Sequence, residues 1–192
     1  MPNWCNNTLE LKHADPAMIQ RAKSAFENGG FLNEFIPIPK ELQITATSGN
    51  GMDEELKQKY QSNIEKYGYD NWYHFCIGEW GTKWDVNKDS GSAILEGDTL
   101  ILSFDTAWSP PIEAYKKLEN MGFEIWALYY ESGMMFCGSY GQGSDEFYDI
   151  DAGSEWVREN IPRYLDEEFC ISESMAEWED DNEEEEEEHG QA

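Results

Sequence analysis

Along residues 4–12 polar and apolar side chains alternate, Thr8 and Glu10 against Leu9 and Leu11, and this period of two predicts a half-buried strand. Asp15-Pro16 then offers a cap and a first-turn proline. Ala17, Met18, Ile19, Ala22, Ala25 and Phe26 follow at helical spacing, until Asn28-Gly29-Gly30 stops the helix. Residues 31–39 are apolar but broken by Pro37 and Pro39, which predicts an extended edge segment and excludes a central strand. Residues 40–51 read as a loop, 52–67 as an exposed Glu- and Lys-rich helix, and 71–79 as a short helix bearing Trp72, Tyr73 and Phe75. Together residues 40–79 read as an insertion.

Residues 92–95 and 100–104 flank Glu96-Gly97-Asp98, a strand-turn-strand pattern in which Gly97 supplies the positive φ of a hairpin. Pro110-Pro111 leads into a helix marked by Ile112, Tyr115, Leu118 and Met121 and closed by Gly122. A second, aromatic hairpin spans 123–130 and 134–140 around Glu131-Ser132-Gly133. Without the insertion the order is βαββαββ. This predicts an α+β domain of the ferredoxin-like arrangement, an antiparallel sheet with two helices on one face and one added strand. Residues 141–153 read as a Gly- and Asp-rich loop, and Ser154 as the cap of a helix to about residue 165 that Pro162 ends or kinks. The domain thus covers 1–165. Residues 166–192 form an acidic tail, mostly disordered, with order fading after about Cys170, because a run such as Glu183 to Glu188 buries nothing.

Charge sharpens this picture. The chain carries 40 Asp and Glu against 13 Lys and Arg, a net of −27. Residues 166–192 hold 14 of the acids and none of the bases, so 26 acids against 13 bases leave about −13 on the body. Such a surface repels phosphate backbones and anionic lipid, which argues against direct nucleic-acid or membrane binding and leaves solubility or attraction to a basic protein surface. Cys5, Cys76, Cys137 and Cys170 are far apart, without zinc spacing or a disulfide framework. With no apolar run of membrane length and no leader, a cytoplasmic protein with reduced thiols is the expectation.

The densest unusual stretch is Trp80-Gly81-Thr82-Lys83-Trp84-Asp85, answered across the hairpin by Trp108. Two uses of these residues stand open. The tryptophans close the end of the core while Lys83 pairs with Asp85 or Asp105, which is the commoner use of tryptophan. Alternatively Trp80, Thr82, Lys83, Trp84, Asp85 and Trp108 line a pocket that stacks on a flat ligand such as a nucleotide. No catalytic constellation stands out: His74 is isolated among aromatic residues, no nucleophile sits in an elbow, and carboxylate spacing selects no pair. Asp145, Glu146, Asp149 and Asp151 miss the EF-hand pattern, and Gly138–Gly143 lacks the Lys-Ser/Thr of a phosphate loop. No metal or cofactor is implied.

The stretches Met1-Pro2-Asn3-Trp4-Cys5-Asn6-Asn7, Phe35-Ile36-Pro37-Ile38-Pro39, Trp80-Gly81-Thr82-Lys83-Trp84-Asp85 and Thr106-Ala107-Trp108-Ser109-Pro110-Pro111, taken in order, resemble the YubB-type ferredoxin-like family over roughly residues 1–140. The resemblance implies that fold and an origin in a bacteriophage or conjugative plasmid, with no catalytic residues to carry over. The leading expectation is therefore a non-enzymatic acidic interaction protein, a nucleic-acid mimic that binds a basic surface of a host defence protein. Residues 118–157 hold eight acids and no Lys or Arg. These are Glu119, Glu124, Glu131, Asp145, Glu146, Asp149, Asp151 and Glu155, expected to make one uniformly negative side. The alternative is a small nucleotide binder or sponge.

Overall fold

The computed structural model describes residues 3–44, 53–86, 89 and 91–190. Met1 and Pro2 of the first motif and residues 45–51 of the expected loop lie outside them. The chain runs β1 (Trp4–His13), α1 (Pro16–Glu27), α2 (Phe31–Phe35), a 3-10 turn (Lys40–Leu42), α3 (Glu54–Tyr67), α4 (Trp72–Glu79), β2 (Ser92–Glu96) and β3 (Thr99–Ala107). It continues through α5 (Ile112–Asn120), β4 (Phe123–Glu131), β5 (Phe136–Gly141), β6 (Ser144–Asp149), α6 (Ser154–Asn160), α7 (Arg163–Phe169) and α8 (Ile171–Gly190).

The strands form one sheet in the order β2-β3-β1-β4-β5-β6, every neighbouring pair antiparallel. The β1-α1-β2-β3-α5-β4 connectivity matches expectation. Two strands are added to it, however, and not one. Residues 144–149 were expected within a Gly- and Asp-rich loop; as β6 they form an edge strand, a place where charged side chains are common. Gln142 at φ 51° and Gly143 at φ 76° make the tight turn from β5, two successive positive-φ residues as a two-residue hairpin requires. Gly138, within the expected strand 134–140, is packed so closely in β5 that a Cβ there would lie 2.2 Å from the Tyr129 hydroxyl.

One sheet face carries Leu9, Leu11, Leu100, Leu102, Phe104, Ile125 and Ala127, all buried beneath α1 and α5. The inserted helices share this core through Phe75 and Cys76, and Glu79 anchors them by accepting from Tyr69 Oη and Lys117 Nζ, each at 2.7 Å. Residues 31–35 are helical and not extended. Asp85 receives the free N–H groups of Leu32 and Asn33 at 2.8 and 2.9 Å, and Phe31, Leu32 and Phe35 face inward.

On the opposite face Leu128 and Cys137 are covered by Val157, Ile161, Leu165 and Ile171 of the C-terminal helices, a second core. Thr8 donates to Glu168 at 2.6 Å, tying α7 to β1. Beyond Cys170 the chain continues as α8: Ile171 is fully buried, and α8 packs back on α6. The two sheet rims differ. On β2, Ile94 and Leu95 are exposed, whereas β6 presents Asp145, Glu146 and Asp149. Among the described residues no helix is long and apolar enough to cross a membrane.

Candidate binding platform

Four of the motif stretches converge at one corner of the molecule, where β1 begins and β3 ends. The antiparallel register sets Trp4 opposite Ala107, and Trp108 N–H donates to the Asn3 carbonyl at 3.0 Å. The segment between α4 and β2 is pinned to this corner by buried groups. Trp80, 2% exposed, donates its indole N–H to the Ile36 carbonyl at 3.0 Å. Thr82, fully buried, donates to the Ala107 carbonyl at 3.1 Å, and Ser109 donates to the Gly81 carbonyl at 2.7 Å. Gly81 sits at φ 87°, and a Cβ there would lie 3.2 Å from the backbone nitrogen of Ile112.

Trp80, Thr82 and Asp85 are thus scaffold. Asp85 also takes the Val86 N–H at 2.8 Å; burial pushes its carboxyl above the ordinary range, and the three backbone donors pull the other way. What the scaffold displays is aromatic. Trp4 is 42% exposed, Trp84 39% and Trp108 42%, so each leaves a large indole surface in water. Trp84 lies 6.1 Å from Trp4 and 6.4 Å from Trp108, centroid to centroid, the latter pair tilted by only 24°. Trp108 adopts φ 68°, a left-handed conformation costly for a bulky side chain, and such strain concentrates at functional sites.

Lys83 completes the group. Its Nζ lies 4.5 Å from the Trp84 ring centroid, 5.1 Å from Trp108 and 5.7 Å from Tyr73. It does not pair with Asp85 or with Asp105, which accepts from Asn6 Nδ2 at 2.7 Å. Trp4 and Tyr73 were not among the expected site residues. Trp4 joins through strand register, and Tyr73 is brought in because Asn71 caps α4 beside the platform. His74 pairs with Asp70 at 2.5 Å, its ring 5.3 Å from that of Tyr73.

The eight acids of residues 118–157 do not form one surface. Glu131 is 1% exposed and accepts the N–H groups of Gly133 and Met134 at 2.8 and 2.6 Å, so it shapes the β4–β5 turn. Glu119 accepts from Tyr140 Oη at 2.6 Å, and Asp145 from Tyr129 Oη at 2.7 Å. The register puts Asp145 and Asp149 on one sheet face and Glu124 and Glu146 on the other, while Asp151 and Glu155 flank the start of α6. An open cleft of about 460 Å³, lined by Glu10, Lys12, Glu119, Glu124 and Trp126, lies at the far end of β1 from the platform. Among the described residues no three His, Cys, Asp or Glu side chains are grouped to hold a metal.

Residues 79–168 match a family model described as the ferredoxin-like domain in Api92-like protein. The match spans the segment before β2 through most of α7 and agrees with the mixed α/β architecture. Among solved structures the chain is similar to the protein api92 from Yersinia pseudotuberculosis, at 11% identity and a TM-score of 0.38, over 80% of this chain and 99% of that one. No curated protein matches the chain.

Proposed function

We propose that this chain is a non-enzymatic binding protein for a basic protein partner, held at the Trp4–Trp84–Trp108 platform and drawn in by the net negative charge. The observation that carries this reading is the contiguous trio of half-exposed tryptophans on a strained, hydrogen-bonded scaffold. Tryptophan is the residue type whose burial at an interface most often dominates affinity, at roughly 2 kcal/mol or more each. A net charge of −27 steers cationic partners and raises association rates more than it raises final affinity.

Mimicry of nucleic acid draws weaker support, since the acids on which it relied divide between two faces and a buried turn. The resemblance to the YubB-type family implies an origin in a phage or plasmid, and on that origin the partner we propose is a host protein. The nucleotide reading keeps one specific support: Lys83 has no carboxylate within 4 Å among the described residues. A phosphate must nevertheless approach against the field of the whole chain. Tryptophan fluorescence titrated with a nucleotide panel tests that reading.

Titration with a lysine-rich peptide, at low salt and at about 0.5 M salt where surface charge is largely screened, tests the main proposal. The platform predicts a salt-resistant component that the Trp84→Ala, Trp108→Ala double variant loses. Equal binding by the double variant at both salt levels sinks it.

A further inference from the structure

Among the described residues nine lysines and arginines, including Lys12, Arg21, Lys66 and Lys117, lie within 4 Å of a carboxylate. Lys83, in the same acid-rich chain, instead sits against three aromatic rings at 4.5 to 5.7 Å, inside the range in which a ring quadrupole attracts a cation. We propose that Tyr73, Trp84 and Trp108 form an aromatic cage for an ammonium group, that Lys83 occupies it in the free protein, and that a lysine side chain of the partner takes its place. This rests on the platform reading above and names the chemistry the platform recognises.

The two indoles lie nearly parallel but 6.4 Å apart, too far for full face-to-face contact with each other, and the ammonium spans both. The rings are fixed from below: Thr82 ties the segment that carries Trp84 to the end of β3 through the Ala107 carbonyl, and Asn71 accepts the Tyr73 N–H at 2.9 Å. The occupant is not fixed. Lys83 is only partly buried and lies on a flexible four-carbon stem, so it can leave the rings without unfolding its loop. Trp4, 6.1 Å beyond Trp84, extends the apolar surface on which an incoming alkyl stem can lie. The field of the chain concentrates cations here and depletes anions, which decides the class of ligand. A resident lysine lowers apparent affinity for any other cation by the fraction of time it occupies the cage.

The test uses full-length protein and tryptophan fluorescence with tetramethylammonium and Nα-acetyl-lysine amide as probes, and adenosine monophosphate as the anionic counterpart. Lys83→Ala and Lys83→Gln, both at a surface position, are expected to bind the two cations at least about tenfold more tightly than wild type. Adding Trp84→Ala is expected to abolish that gain. The cage is overturned if neither Lys83 variant gains cation affinity, or if adenosine monophosphate binds wild type better than the cations bind the variants. Should the gain be missing while Trp84→Ala still removes salt-resistant peptide binding, the cage fails and the platform stands. Should both responses be missing, both fail.

Discussion

Glu179 of α8 closes both carboxylate oxygens on Ser154, accepting its backbone N–H at 2.8 Å and its hydroxyl at 2.6 Å. The start of α6, whose first N–H groups have no partner within the helix, is thereby capped from another helix. These hydrogen bonds hold the Glu179 carboxyl below its ordinary range. Because the folded pKa is depressed, the stabilisation is complete above the unfolded pKa and fades as pH falls through the folded one. Glu179→Gln should therefore melt below wild type near pH 7, with the gap narrowing as pH falls below the ordinary glutamate range. Identical melting near pH 7 would remove the cap.

Glu131→Gln should destabilise the chain by roughly 1–3 kcal/mol in urea unfolding, because an amide offers one acceptor where two backbone donors converge and presents an N–H group to the other. Glu124→Gln, at an exposed strand position, should change stability by no more than about 0.5 kcal/mol. The pair separates an acid that shapes a turn from one that only adds charge.

At Trp108 stability and binding should part company. Asparagine tolerates the left-handed region better than tryptophan, so Trp108→Asn should leave stability unchanged or raise it by up to about 1 kcal/mol. The same substitution should weaken salt-resistant peptide binding by roughly tenfold or more. A large stability loss would instead make this indole part of the core.

Burial pushes the Cys76 and Cys137 thiols up to about 12, and the Cys5 thiol is likewise raised by burial and by nearby Glu131. Cys170 is exposed. A disulfide-exchange reagent at about pH 8 should accordingly label one thiol quickly in the native protein and all four after denaturation. Fast labelling of a second thiol would show that one of the two cores opens readily.

Where side-chain period tracks burial, the chain was readable: Leu9 and Leu11 mark β1, and Ala22 and Phe26 mark α1, because each element buries one face. β6 escaped that logic, since its one large apolar residue, Phe147, is 52% exposed and rests on Phe136. α8 escaped it as well, being held by Ile171 and a polar contact at Glu179 within a run that reads as solvated charge. At the platform, Trp84, Trp108 and Lys83 stood out by density. Trp4 did not, because only the β1–β3 register joins residues more than a hundred positions apart. Trp80 and Trp84 look alike in sequence, yet one fills the core and the other faces water. The acids hid most, since nothing in a string of carboxylates distinguishes Glu131 under a turn from Glu124 in solvent.

The unequal rims of the sheet set a limit on self-association. A strand added beside β6 would meet Asp145, Glu146 and Asp149, and two such rims repel each other. Pairing between copies is left to β2, where Ile94 and Leu95 lie open, and one such contact uses that rim on both molecules. Between like rims, pairing is therefore disfavoured at β6 and open at β2.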